Sequence, residues 1–457
     1  MHVLLLTGAL EIGGADQFAV DLLTQLRLRG HRAIVVVTLP GAHPWQARFA
    51  AAADTVVLLH QILPPADHPA YIASLVRSKQ VDLVLVHQSE AGFALLPYLR
   101  HHCPAVACTA YVHMVEPDWR AGGYPALAIQ QMEQLDAIGC TSAHLRGWLM
   151  AHGAPANRTT TCYIGVDPAI WQPDHPQRLA VRAEFGIAPD VPVIIVIGRL
   201  VAQKRPLLAA AILQDLTRAQ RFVALFVGDG PERGRLQRAV QGAPGDMRVL
   251  GAVPNARVAA LLAASDLLLL PSQDEGIALV LFQALAAGVV PVAAAVGGQA
   301  ELVTADCGIL VPQSGDEQAA YVAALRQLLD DPQQRTARAA MAMTRVRAEF
   351  DLNTMGGTMH GVLSAAVTHA AHTPLPRPDA AAAHTSAAAM LAGAREEAAA
   401  ARLWGTPGVY GGTDQKLWAR AVRCAKRVLQ PAYREVAARM PGIVRLVRFV
   451  RRGLWGN

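Results

Sequence analysis

The chain has 457 residues, 53% of them hydrophobic and 17% charged, enough apolar material for two globular cores. Its net charge of +6 is uneven: residues 414–457 hold eleven Lys/Arg against two Asp/Glu, a local +9, and +6 less +9 leaves −3 for residues 1–413. A mildly acidic body with a basic tail excludes nucleic-acid binding as the meaning of the overall charge. The six cysteines (Cys103, Cys108, Cys140, Cys162, Cys307 and Cys424) form no CxxC pair. Reduced thiols in a cytosolic protein are therefore expected, not a zinc site or a disulfide framework. The opening MHVLLLTG reads as a strand and not as a signal peptide, since it lacks a basic flank and a cleavage site. No apolar run of about 18 residues suggests a membrane span.

In chain order, Val3–Leu6 is a buried strand that leads through Gly13-Gly14 into a helix carrying Phe18, Leu22, Leu23 and Leu26, and Ala33–Thr38 is the next strand. Further strands are expected at Thr55–Leu59, Leu83–His87, Ala105–Thr109, Ala137–Thr141 and Thr160–Ile164. Pro168, Pro173, Pro176, Pro189 and Pro192 then mark a junction near residues 172–190. A second series starts at Val193: strand VIIVIG, helix Pro206–Ala219, strand Phe222–Val227, helix Arg233–Val240, strand Arg248–Leu250 and helix Ala256–Ala264. Strand Asp266–Leu270, helix Leu279–Ala287, strand Val289–Ala294, strand Ile309–Val311 and helix Glu317–Asp330 complete it. Alternating strands and helices predict an α/β protein with two doubly wound, mostly parallel sheets facing across a cleft. The expected domains are 1–180 and 181–350. Residues 333–370 read as helical with a break at Gly356-Gly357, residues 372–413 as a flexible Ala/Pro/Gly-rich linker, and residues 414–457 as a basic amphipathic tail.

In open α/β sheets, ligands lie beyond the carboxyl ends of the strands. Four places in this chain meet that description. Gly13-Gly14 opens a helix where backbone N–H groups can approach an anion, although such a turn is also simply tight. His113 follows a strand, and a surface loop histidine is the competing reading. Gly198-Arg199-Leu200 with Lys204 follows strand VIIVIG. Arg199 offers a planar two-pronged contact and Lys204 a point charge, which suits a diphosphate; a solvated basic turn is the alternative. Glu275-Gly276-Ile277 follows the leucine strand with one carboxylate at the mouth of the loop. Gly228-Asp229-Gly230-Pro231 reads as a plain turn. Neither GxGxxG nor GxxxxGK[ST] occurs at these strand ends, which disfavours a dehydrogenase and a P-loop enzyme.

Taken together, GGADQF, YVHM, IGVD, GRLVAQKR, VGDGP, LPSQDEGIALVLFQALAAG and GGQAEL stand in the order and spacing of retaining GT-B glycosyltransferases. About residues 1–370 resemble family 4 of these enzymes. The resemblance implies two Rossmann-like domains, with a nucleotide-sugar donor held mainly by the second, and a last helix over 351–371 that crosses back to the first. It implies that Arg199 and Lys204 hold the diphosphate and stabilise the departing charge, with the Gly14 backbone near the phosphates. Glu275 would bind donor-sugar hydroxyls, the Gly276 and Ile277 amides would lie near sugar and phosphate, and His113 would reach the sugar from the opposite domain. Neither cofactor nor metal is expected. The acceptor would be a glycan or a lipid-linked hydroxyl, attacked with retention of anomeric configuration.

One position departs from the family pattern. Gln283 stands where a second glutamate would bind the ribose, and a neutral amide makes a weaker hydrogen bond there than a carboxylate. That departure keeps a non-catalytic binding or assembly protein as the rival reading, beside a GT-B sugar epimerase. In the tail, Lys416, Arg420, Arg423 and Arg427 share one helical face and Trp418, Val422 and Leu429 another. Ile443, Val447, Val450 and Leu454 oppose Arg445, Arg448 and Arg452 in the same way. Adsorption to an anionic membrane and docking to a protein both fit. The expected place is the cytoplasm, peripherally on the inner face of the cell membrane.

Overall fold

The computed structural model describes residues 1–390 and 392, so the basic tail lies outside the described residues. Seven strands form the first sheet: β1 (His2–Thr7), β2 (Arg32–Val37), β3 (Thr55–Leu58), β4 (Leu83–His87), β5 (Ala107–Val112), β6 (Ala137–Cys140) and β7 (Thr159–Thr161). Six form the second: β8 (Val193–Ile197), β9 (Val223–Val227), β10 (Asp246–Gly251), β11 (Leu267–Leu270), β12 (Val290–Ala294) and β13 (Ile309–Val311). The spatial orders are 3-2-1-4-5-6-7 and 10-9-8-11-12-13. Every pairing is parallel, with β1 between β2 and β4 and β8 between β9 and β11. Each sheet therefore reverses direction beside its first strand, and loops on either side of that strand splay apart to leave a crevice.

Helices cover both faces, so the strands are apolar on both sides. Val3 and Leu5 face one core while Leu4 and Leu6 face another. The core of Val3 and Leu5 continues through Met359 and Leu363 to Ile195 and Leu268 of the second sheet. Met359 and Leu363 belong to the helix Leu352–His372, which packs on the first helix (Gly14–Leu28) and on β5 and β6. Its far end is fastened by His369 Nδ1, 3.0 Å from Asp136 Oδ1. The other Asp136 oxygen takes the buried Arg100 guanidinium at 2.8 Å.

Several local expectations change. Gly356-Gly357 does not break this helix. Gly356 is there because a Cβ would come within 2.7 Å of the Gln25 side chain, so the glycine permits close helix packing. The break falls at Phe350 and Asp351, where the Asp351 side chain caps the new helix through Thr354 N at 2.6 Å.

The boundary drawn at 180/181 would cut the helix His175–Glu184. Pro176, read as a linker signal, stands in the first turn of that helix behind the Asp174 cap, a position where proline is at home. Arg178 and Arg182 of this helix pair with Asp266 at 2.8 Å each, so it belongs to the second domain.

The flexible linker expected from residue 372 is ordered at its start. Residues 380–390 are helical, and Arg377 Nε donates to His101 O at 2.9 Å. Pro97 interrupts the helix Glu90–His102. The Ser386 hydroxyl enters that interruption, accepting from Tyr98 N at 3.3 Å and donating to Ala94 O. Strand β5 runs to Val112 rather than Thr109, because its pairing with β4 carries on to His87 opposite Tyr111. His113 is thus the first residue after the strand.

Candidate functional site

The loops after β1, β5, β8 and β11 meet between the two sheets. Lys204 Nζ contacts Glu275 Oε1 directly, with the glutamate side chain 6% exposed and the lysine 20%. The carboxylate keeps a charged partner in a mostly dry place. Arg205, next in sequence, points elsewhere: it adopts a left-handed backbone before Pro206, and its guanidinium pairs with Glu317 at 2.7 Å. Arg199 is exposed at the cleft and faces Glu116 of the first domain. Burial raises the Glu116 carboxyl above its usual range, and the Arg199 charge opposes that rise.

Gly276 brings the two domains into contact. A Cβ there would lie 2.1 Å from the His113 carbonyl oxygen, so only glycine allows this approach. That carbonyl also accepts from Thr141 Oγ1 at 2.6 Å, and Gly276 O accepts from Gly298 N at 2.7 Å. Beside this contact lies a cavity of about 120 Å³, lined by Met114, Ser142, His144, Asp274, Glu275 and Gly297.

Two helices present uncapped N-termini here. Neither Gly13, before the helix Gly14–Leu28, nor Ala278, before the helix Leu279–Ala286, supplies a side-chain cap. The two ends face each other, with Leu279 Cβ 3.3 Å from where a Gly14 Cβ would stand. Among the described residues no intramolecular hydrogen bond engages the amides of Gly14, Ala15, Gly276 or Ile277. Unpaired N–H groups and two helix dipoles converge on the space beside Lys204 and Arg199, which suits an anion with several oxygens. Gln283, one turn into the second of these helices, is 5% exposed.

His113 packs edge-on against Phe18 and Tyr111, and its Nε2 lies 2.8 Å from Nε2 of His87. Burial pushes the His113 imidazole well below its ordinary value, and His87 adds to that; burial alone takes His87 down to about 3. Both rings are neutral at physiological pH. Asp16, in the first turn of the first helix, is raised to about 7 by burial and, more weakly, by the neighbouring Glu11 charge.

All eight sequence-derived residues, Gly14, His113, Arg199, Lys204, Glu275, Gly276, Ile277 and Gln283, lie on the strand-end loops or on the helix that one of them opens. Four others escaped sequence reasoning: Asp16, His87, Glu116 and Glu301. His87 ends strand β4, and the rule that selected His113 would have found it. Asp16 stands inside GGADQF. Glu301 stands inside GGQAEL, and Glu116 carries no local signal. Glu301 of the second domain accepts from Ala143 N and His144 N at 2.7 Å each and from Tyr163 Oη at 2.8 Å. The GDGP segment is more than a turn. Leu200 N donates to Asp229 O at 2.9 Å, and Glu232 N to Leu200 O at 2.9 Å, so it holds the Arg199 loop in place.

Comparison with known proteins gives two family matches, Glycosyltransferase Family 4 over residues 12–170 and Glycosyl transferases group 1 over residues 177–343. A GDP-mannose-dependent monoacylated alpha-(1-6)-phosphatidylinositol monomannoside mannosyltransferase of Corynebacterium glutamicum is 30% identical over 315 residues, covering 66% of this chain and 81% of that protein. The D-inositol 3-phosphate glycosyltransferase of Kineococcus radiotolerans is 27% identical over 395 residues, covering 74% of this chain and 88% of its own length. Among solved structures, Anabaena HepE in complex with UDP superposes with a TM-score of 0.69 at 20% identity, over 80% of this chain and 100% of that one. That likeness concerns the fold.

Proposed function

This chain belongs to the family 4, group 1 glycosyltransferases with the GT-B fold, and from that premise we propose that it moves a sugar from a nucleoside-diphosphate donor to an acceptor hydroxyl with retained anomeric configuration. The observation that carries the reading is the pairing of Lys204 with Glu275 between two uncapped helix N-termini. The orphan N–H groups and Lys204, with Arg199 at the rim, are preorganised for the negative charge that develops on a departing diphosphate. The backbone N–H groups need no rearrangement to stabilise it, and Lys204 has only to turn from Glu275. Glu275, once its lysine turns to the phosphates, accepts hydrogen bonds from sugar hydroxyls. In this reading Gln283 meets the ribose with a neutral amide. The acceptor oxygen attacks the anomeric carbon on the face that the diphosphate leaves, and a diphosphate oxygen takes the acceptor proton. The C–O bond to the donor breaks as the new one forms, and no side-chain nucleophile is required.

The named relatives act on inositol phosphate or on a phosphatidylinositol mannoside. They support a polar, anionic or lipid-linked acceptor for this chain. The basic amphipathic sequence of residues 414–457 supports a peripheral position on an anionic leaflet, and no helix among the described residues is long and apolar enough to cross a membrane. The test is calorimetric titration of the full chain with UDP-glucose and GDP-mannose. One of them is expected to bind and to be hydrolysed slowly or transferred; binding of neither, with no turnover, would overturn the reading. Co-sedimentation with phosphatidylglycerol vesicles, comparing the full chain with one ending at Ala392, tests the tail, and equal partitioning would refute its membrane role.

A further inference from the structure

A buried imidazole and a partly buried one meet through the same ring nitrogen in this site, and a single proton must serve both. His87 is 1% exposed, and its Nε2 lies 2.8 Å from His113 Nε2. One Nε2 therefore donates and the other accepts. His87 Nδ1 is buried without a hydrogen-bond partner. Phe18 flanks the pair as an apolar wall, and the Tyr111 hydroxyl is committed to Cys162 O at 2.6 Å. Among the described residues no carboxylate is bonded to either ring, so nothing draws a second proton into the pair.

Two tautomer arrangements are open. If His113 donated, His87 would have to carry its proton on Nδ1 and bury an unpaired N–H. If His87 donates, its Nδ1 is a bare lone pair, and an orphaned buried N–H is the rarer and costlier of the two. We propose that His87 is a positioning residue for the transfer reaction: it donates Nε2–H to His113 Nε2, locks His113 in the Nδ1–H tautomer, and so makes the partly buried His113 a hydrogen-bond donor to an oxygen of the donor sugar. Which nitrogen of a histidine carries the proton is set by the bond the other nitrogen makes. In this arrangement His113 neither takes nor gives up a proton during transfer. It orients the sugar by a neutral N–H, opposite the carboxylate of Glu275, which only accepts. The sugar thus meets one donor from the first domain and one acceptor from the second, and a hydroxyl with both capacities satisfies the pair.

This rests on the transferase reading for its role, but not for its test. Imidazole ¹⁵N spectra of the uniformly labelled full chain, with His113→Ala to assign the signal, are expected to show a pyrrole-type Nδ1 and a pyridine-type Nε2 for His113. The reverse pattern overturns the proposal without any activity measurement. For turnover of UDP-glucose or GDP-mannose, whichever the wild type uses, His87→Phe is expected to lower kcat/KM about tenfold, the size of one lost hydrogen bond. His87→Gln, whose amide N–H reaches the place of Nε2–H, should recover to within about threefold of wild type by restoring that bond. In the His113→Ala background, His87→Phe should cost nothing further. A purely packing role would give equal losses in Phe and Gln variants or a full additional loss in the double variant, and either result refutes the proposal. If the wild type turns over neither sugar nucleotide, the transferase reading fails while the spectra still decide the tautomer.

Discussion

Two helix N-termini border the same cleft and are treated in opposite ways. The helix Ala143–Ala151 is sealed twice: Ser142 Oγ accepts from Leu145 N at 3.0 Å, and Glu301, reaching across from the second domain, takes Ala143 N and His144 N. The helix Leu279–Ala286 has Ala278 at its cap and no such oxygen. Both ends carry the same partial positive charge and orphan donors. One is neutralised by a carboxylate that also ties the domains together; the other is left open beside Lys204. The difference separates a structural joint from a binding site better than either helix does alone, because an uncapped N-terminus sacrifices about 1 kcal/mol of helix stability.

Removing the cation at the open end should have the largest effect. Lys204→Ala is expected to reduce kcat about 10²–10³-fold, in the range for losing one preorganised donor to transition-state charge. Steady-state transfer or donor hydrolysis checks this, and a change under threefold would show that the diphosphate lies elsewhere. Making the open end resemble the sealed one comes next. Ala278→Asp places a capping carboxylate where phosphate oxygens are expected, so affinity for the nucleoside diphosphate should fall about tenfold or more while thermal stability holds or rises, as a new cap contributes about 1 kcal/mol.

The reverse change acts on the joint. Glu301→Ala leaves two amides to water and should lower unfolding free energy by about 1–2 kcal/mol in denaturant titration, with nucleotide affinity changed far less. Gln283→Glu, on the open helix, should tighten nucleotide binding about fivefold through a charge-assisted bond to the ribose. An unchanged dissociation constant in calorimetry would place the ribose away from this helix.

A different effect, on the pH dependence of stability, concerns Asp16 at the other open helix. Its folded value of about 7 stands above the ordinary 3.8, so between those values the native state holds the extra proton. Stability from this group is present at low pH and is lost as pH rises towards 7. Asp16→Asn should therefore raise the melting temperature at pH 8 and lose that advantage near pH 4.

The strands and their loops were readable because a doubly wound sheet is built from local signals. Leu267–Leu270 is an apolar run closed by Pro271, and Val193–Ile197 is closed by Gly198; a buried parallel strand must be apolar on both faces and must end where a loop begins. The site residues followed from that grammar, since strand ends are where ligands bind. Lys204 and Glu275 stand 71 residues apart, yet each was found from its own strand end. The contacts that escaped are those in which the partner lies on another element and leaves no mark on its neighbours in the chain. Pro176 looked like a linker and begins a helix, because proline is unfavourable inside a helix and favourable in its first turn.

By itself the sequence determined the two α/β domains, the loops at their strand ends and the charged residues those loops carry, all consequences of apolar periodicity and turn chemistry within some thirty residues. Tertiary structure alone decided which helix end is sealed and which is open, which nitrogen of His113 faces His87, and that Ser386 fills the gap at Pro97. A hydrogen bond between distant segments depends on distance and desolvation in three dimensions, and residue type along the chain encodes neither.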